Sequence, residues 1–283
     1  MYPSSTFRIP DTLIGKDWVE EILKNGRVKG DEIQEMIKSE CIIKNTLHDE
    51  EVANSLIDIG GDDEDIKLAF KIVNYVKHMG PYGVSTAELK KQFLFKTHNL
   101  ELYEITNLLI KIGMFFRTGV RDIRLVHVSE NETWTIGLDD ERPISEINLN
   151  SLGIRLKLMP WVRINGTLNL KVLQNWMYVI LAHCLSCPFA TLTNLMKRFN
   201  IMKPVDIFSL LEYLQTLDCL RIYTYVDSKR TTLLSEFAVL EERPANILDD
   251  FETIFVETDK IAIIKMGALR YKGQTDIDIP FEE

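Results

Sequence analysis

Cys184 and Cys187 make the one Cys-x-x-Cys spacing in the chain, a pattern that serves zinc binding or thiol redox chemistry. Zinc needs a second ligand pair at regular spacing, and the remaining cysteines, Cys41 and Cys219, stand alone. A redox pair sits at a helix N-terminus, where the dipole lowers the thiol pKa. This one falls at a helix end, just before Pro188. All four cysteines therefore read as free thiols, Cys184 and Cys187 as packed ones, suited to a reducing compartment. Gly60-Gly61-Asp62-Asp63-Glu64-Asp65 lacks the calcium-loop pattern and reads as a linker whose acids favour the start of the next helix. The pairs Glu241-Glu242 and Asp249-Asp250 have no histidine or phosphate loop beside them. No catalytic residue, cofactor, metal or small-molecule substrate is expected, and the chain does not read as an enzyme. The remaining chemistry is cationic. Lys90, Lys91, Lys96, His98, Arg117, Arg121 and Arg124 form one group, and Lys197, Arg198, Lys203, Lys229 and Arg230 another, as candidate phosphate contacts.

Two similar runs of elements must position these groups. Ile66–Met79 is followed by Gly80-Pro81-Tyr82-Gly83, then Ser85–Phe93, Leu100–Ile112 and Phe115–Val128. Leu170–Ser186 is followed by Cys187-Pro188, then Thr191–Phe199, Pro204–Leu217 and Leu220–Ser235. Leu89 to Leu195 and Phe93 to Phe199 are steps of 106; Leu109 to Leu214 and Ile112 to Leu217 are steps of 105. A helix-turn-helix followed by a hairpin is a winged helix, which lays its third helix in a DNA groove or against a protein. In the first copy Ala69, Ile72, Val73, Val76 and Met79 form a helical stripe. Ser85 and Glu88 suit a capping box, and Gly113 a helix C-terminus. In the second, Pro204 fits a first helical turn, and Asn165-Gly166 marks a hairpin between Trp161 and Leu168.

The outward faces of the third helices read as Glu101, Glu104, Asn107 and Lys111, and as Asp206, Ser209, Glu212, Tyr213 and Thr216. Carboxylates there repel phosphates, and no arginine stands where a guanine contact is expected. The cations instead gather at second helices, turns and wings, a layout for holding the backbone rather than reading bases. Tyr82, Phe95, Trp161, Tyr178 and Tyr223 are core residues or anchors for a protein partner.

The net charge of −9 hides a segregation. Residues 66–128 carry ten Lys+Arg against four Asp+Glu, residues 160–235 eight against four, so the rest of the chain sums to −19. Length and this alternation suggest an acidic helical segment over 1–65, winged helices over 66–128 and 160–235, an acidic linker over 129–159, and an acidic segment over 236–283 with one more hairpin. In the first segment Trp18, Ile22 and Leu23 share one helical face and Ile33, Met36 and Ile37 another, split by Asn25-Gly26 and Lys29-Gly30. The last hairpin would join Thr253–Glu257 to Ile261–Lys265, ahead of a polar, fraying end at Gly273–Glu283. The expected class is mainly α with small β-wings, α+β, as tandem winged helices. Arg8, Asp11, Lys16 and Asp17 argue against a secretory signal. The uncharged run between Lys171 and Lys197 holds too many polar residues for a bilayer.

Pro160-Trp161-Val162-Arg163-Ile164-Asn165-Gly166-Thr167-Leu168-Asn169, the Pro188 turn, Leu195–Phe199, and Pro204-Val205 through Leu210-Leu211-Glu212-Tyr213-Leu214 to Leu217-Asp218-Cys219-Leu220 resemble one family. It is the C-terminal region of the largest, B-block-binding subunit of general transcription factor IIIC. Gly80-Pro81-Tyr82-Gly83-Val84-Ser85 with Glu88-Leu89 is similar to winged helices that recur along that subunit. The resemblance covers roughly residues 66–235, with Phe189 standing where the family has glycine. It implies a nuclear protein of RNA polymerase III transcription, with internal promoter DNA of transfer RNA genes and the other subunits of the factor as partners, and no membrane. Two readings stay open: phosphate contact through the basic turns and wings, or a docking scaffold without DNA contact.

Overall fold

The computed structural model describes residues 16–44, 49–93, 100–137, 154–164, 166–188, 190–227 and 240–267. Helix α1 (Lys16–Cys41) runs unbroken through Gly26 and Gly30, where two helices were expected. An interior glycine costs a helix roughly 1 kcal/mol. Burial of Ile33, Ile37 and Cys41 on one face offsets that cost. Strand β1 (Ile42–Lys44) follows, then α2 (Asp49–Asp58), which sends Val52 and Leu56 into the core.

The acidic run at Gly60–Asp65 is a helix cap. Asp62 accepts from the backbone of Glu64 and Asp65 at 2.9 Å, and Asp65 returns a carboxylate to Asp62 N at 3.1 Å, starting α3 (Asp63–His78). A 3-10 turn at Gly80–Tyr82 ends at Gly83, with φ +60°. A Cβ there would stand 2.2 Å from the Leu125 carbonyl oxygen, so only glycine fits. Strand β2 (Val84–Ser85) leads into α4 (Thr86–Phe93), where Ser85 Oγ accepts from Glu88 N at 3.2 Å and Glu88 accepts from Ser85 N at 2.9 Å. Helix α5 (Leu102–Lys111) stops at Gly113, φ +83°, with Met114 N donating to Leu109 O. Strands β3 (Phe115–Thr118) and β4 (Arg124–His127) form a hairpin, and β2 adds to it in the order β2-β4-β3. Order and pairing are compatible with a winged helix.

The stretch expected as a linker carries structure at both ends. After a 3-10 segment at Val128–Thr133 come β5 (Thr135–Gly137) and β6 (Ile154–Lys157), and the second sheet has the order β1-β6-β5. Residues 138–153, with the Asp139–Pro143 run, lie outside the described residues. A turn with Arg163 N donating to Thr167 O and Asn169 N to Trp161 O, 2.9 and 2.8 Å, leads into α6 (Leu170–Ser186). Strand β7 (Ala190–Thr191), α7 (Leu192–Arg198) and α8 (Pro204–Thr216) follow, the last with its proline in the first turn.

Strands β8 (Leu220–Asp227), β9 (Leu240–Pro244) and β10 (Ile254–Thr258) complete a sheet of order β7-β10-β8-β9. Strands β8 and β9 pair antiparallel from Asp227 with Leu240 to Tyr223 with Pro244, so the return strand after Leu220 lies beyond the expected bound at Ser235, and residues 228–239 between them lie outside the described residues. The expected partner of Thr253–Glu257 is not a strand, for residues 262–267 are helical. Asp259 turns the chain, its carboxylate accepting from Ile261 N at 3.4 Å. Ile254 and Val256 point into the core and pair with Thr224 and Ile222. The fold is thus mixed, helices with three small antiparallel sheets, and one continuous core joins α1, α3, α5, α6, α8 and β10.

Because α1 is welded to that core, Ile37→Ala should cost about 2–5 kcal/mol, the usual range for a large apolar side chain cut back in a packed core. Urea unfolding followed by circular dichroism measures it; a loss under 1 kcal/mol would mean the helix is an appendage.

Candidate functional site

Helix α5 presents Glu101, Glu104, Asn107 and Lys111 to solvent, as expected. Glu104 also accepts from Glu101 N at 2.8 Å, so it caps its own helix. Helix α8 does the opposite of what its sequence face suggested. Asp206 is 2 % exposed, and Ser209 and Tyr213 are fully buried. The C-terminal half of α1 covers them. Tyr213 OH donates to Glu40 at 2.7 Å, Ser209 Oγ to the same carboxylate at 3.4 Å, and Lys29 pairs with Asp218 just beyond the helix. Val205, Ile207, Phe208, Leu210, Leu211 and Leu214 surround α8 with apolar side chains, and a helix apolar all round is a buried one. That was the signal available in the sequence.

Arg117, expected on an exposed wing, is the largest correction. Only 11 % of its side chain is exposed, and it binds Glu40 while its Nη1 lies 2.9 and 2.7 Å from the two oxygens of Glu212. It sits 5.9 Å over the Phe208 ring as well. Burial pushes the Glu40 carboxyl up, but Arg117, Lys157 and the Tyr213 and Ser209 hydroxyls outweigh it and hold the acid ionised, below its ordinary range. Burial wins at Glu212, which is raised despite Arg117. Lys157, 5 % exposed on β6, is lowered by burial against the pull of Glu40. Burial lifts Asp206 to about 6, with Lys157 and Lys203 opposing. Two cations thus face two carboxylates in one buried cluster, with Asp206 at its margin. A cleft of about 1010 Å³ opens above it between α1, α5 and α8, its walls including Glu32, Met36, Tyr103, Asn107 and Lys111.

The other cations divide. Arg124 donates to the Tyr82 carbonyl at 2.9 Å and lies 3.3 Å from Asp122 and 3.6 Å from Glu88, so the hairpin, the 3-10 turn and α4 together hold it. Lys91, Arg121, Lys197 and Arg198 are exposed, and Lys90 and Lys203 half-buried. Lys96, His98, Lys229 and Arg230 lie outside the described residues. Among the aromatics Trp161 and Tyr223 are buried, Tyr82 and Tyr178 exposed, and Phe95 lies outside the described residues. Cys41, Cys184 and Cys219 are buried free thiols, but Cys187, expected to be packed, is exposed at the end of α6. Burial pushes Cys184 and Cys219 up to about 12. Among the described residues no group of three metal-ligating side chains comes together, and no helix is long and apolar enough to cross a membrane.

No protein-family model matches the chain. Over 109 residues it is 27 % identical to human General transcription factor 3C polypeptide 1, a stretch covering 38 % of this chain and 5 % of that protein. The chain is distantly related to that subunit. The resemblance read from the sequence agrees at this coarse level, and the match does not single out the subunit's C-terminal region.

Removing one partner of a buried ion pair strands the other, so Arg117→Ala should cost about 3–5 kcal/mol in urea unfolding. Arg117→Met with Glu40→Gln and Glu212→Gln should recover most of that loss; a triple variant as unstable as the single one would show that packing, not charge, is what Arg117 supplies. A carboxyl raised from 3.8 to about 6 favours the folded state below 3.8 and loses that contribution as pH rises through 6. Asp206→Asn should therefore stabilise the chain at pH 8 by on the order of 1–3 kcal/mol, the gain fading towards pH 4. Thermal melts at the two pH values check this, and an equal shift at both would refute it.

Proposed function

We propose that this chain is an assembly module of a transcription factor IIIC-related subunit, working in the nucleus in RNA polymerase III transcription. Its two helix-turn-helix units, residues 66–128 and the unit that starts near residue 160, are read as tandem winged helices. The burial of α8 carries this reading: the helix that would read a groove in the second unit is sealed under α1. The third helix of the first unit opens with Glu101 and Glu104, which repel phosphates and suit a protein partner. Other subunits of the factor are the partners it would meet.

A second reading rests on the exposed cations. Lys91 and Arg121 on the first unit and Lys197 and Arg198 on the second make no ion pair among the described residues. They suit sequence-tolerant contact with promoter DNA, which would add to assembly rather than replace it. Lys90 belongs with them, and Arg117 does not.

The tagged full chain, coexpressed with the other subunits of the factor, should retain at least one of them through purification. Loss of all of them would overturn the assembly reading. In a salt titration on two duplexes of unrelated sequence, binding should be weak and alike for both, with a slope near −0.9 in log affinity against log salt for each phosphate engaged. Lys90→Ala with Lys91→Ala and Arg121→Ala should flatten the slope. If Glu104→Ala or Asn107→Ala changed discrimination between the duplexes instead, α5 would be a base reader.

A further inference from the structure

The outward face of α6 is used by nothing described so far. Lys171, Asn175, Tyr178, Ala182 and Leu185 recur at steps of four and three and so share one face of the helix. The opposite face, with Leu173, Met177, Ile180, Leu181 and Cys184, is buried in the core. Tyr178 is 53 % exposed, and Val179 and Leu185 stand open beside it. The solvent face of a surface helix is normally charged. This one has no charged residue after Lys171 through its whole length.

The sequence that carries that face is of one sign. No Asp or Glu occurs between Glu146 and Asp206, while seven lysines and arginines do, in a chain that is acidic overall. Asp206 itself is buried. Exposed Arg163 and Ile164 belong to the turn that Asn169 ties to Trp161 at the N-terminal end of α6. At the other end the His183 ring meets Phe199 edge-on at 5.6 Å, which brings α7 with Lys197 and Arg198 alongside, and Ile201, 81 % exposed, follows. None of Arg163, Lys171, Lys197 and Arg198 has an ion pair among the described residues. Acidic Asp250 and Glu252 flank Phe251, whose carbonyl accepts from Thr193 at the opposite end of α7.

We propose that this face of α6, apolar at its centre and cationic at both ends, docks an acidic amphipathic helix of a partner protein. The four-and-three spacing is that of one helix packing along another, and Ala182 at mid-seam lets the two backbones approach closely. The apolar side chains supply the buried centre, and the unpaired cations select carboxylates at the rim and steer the encounter. This surface lies on a different helix from the cleft above Arg117, and the inference goes beyond the assembly role proposed above by naming the chemistry of one partner.

The test uses the full chain and a fluorescent synthetic helix with leucines on one face and glutamates on the other, read by anisotropy. Binding should fall about tenfold in Tyr178→Glu with Leu185→Glu, the effect of losing central anchors, and similarly in Lys197→Glu with Arg198→Glu. A peptide of the same composition in scrambled order should bind about tenfold more weakly than the amphipathic one. Unchanged melting temperatures show that the variants fold. Equal binding by all variants would overturn the proposal. So would displacement of the peptide by duplex DNA with sensitivity to Lys197 and Arg198 alone, which marks a phosphate surface. Self-association of the parent, lost in the Tyr178 and Leu185 variant by sedimentation, would mean that a second copy covers the face.

Discussion

Arg117 holds two carboxylates at once, Glu40 from the end of α1 and Glu212 from the middle of α8, while itself standing on β3. Withdrawing three charges from water costs several kcal/mol per ion unless each finds partners. The partners are present: the guanidinium fork spans both acids, Tyr213 and Ser209 donate to Glu40, and Lys157 on β6 brings a second cation close. Four segments from distant parts of the chain, α1, β3, β6 and α8, must therefore be in register before these charges find their partners. Such a cluster adds little net stability over an apolar core. It does penalise every arrangement in which one member is missing, and so fixes how α1, the β3–β4 hairpin, β6 and α8 meet.

That arrangement decides which surfaces remain for other molecules. A winged-helix order of elements is a scaffold and does not by itself confer DNA reading. Helix α8 is committed to an internal contact, its Tyr213 packed edge-on at 6.0 Å against Trp161. In the first unit α5 keeps its polar face exposed, with Asn107 and Lys111 also lining the cleft towards α1, while Arg117 is largely buried, Arg124 is held by its neighbours and Arg121 stays exposed. Among the exposed features are the carboxylates that open α5, a scatter of lysines and arginines, and the uncharged back of α6. These are the surfaces on which the proposed assembly role rests, and the distant similarity to one human transcription-factor subunit is compatible with it.

The sequence by itself determined whatever is encoded within about four residues. The reciprocal caps at Asp62/Asp65 and Ser85/Glu88, the αL stop at Gly113, the proline opening α8 and the turn before α6 each depend on side chains that meet their own neighbouring backbone. Periodicity likewise located the helices, because burying one stripe needs only the order of residues along one element. Tertiary structure alone decided the rest. Gly26 and Gly30 looked like breaks until burial of Ile33 and Ile37 outweighed their cost. Strand β8 pairs with its neighbour in sequence, β9, on one edge, but its other edge is taken by β10 from further along the chain. Arg117 looked like a wing-tip cation because its partners are 77 and 95 residues away. A charge declares its own sign in the sequence, but its partner and its distance from water are set only when remote segments pack together.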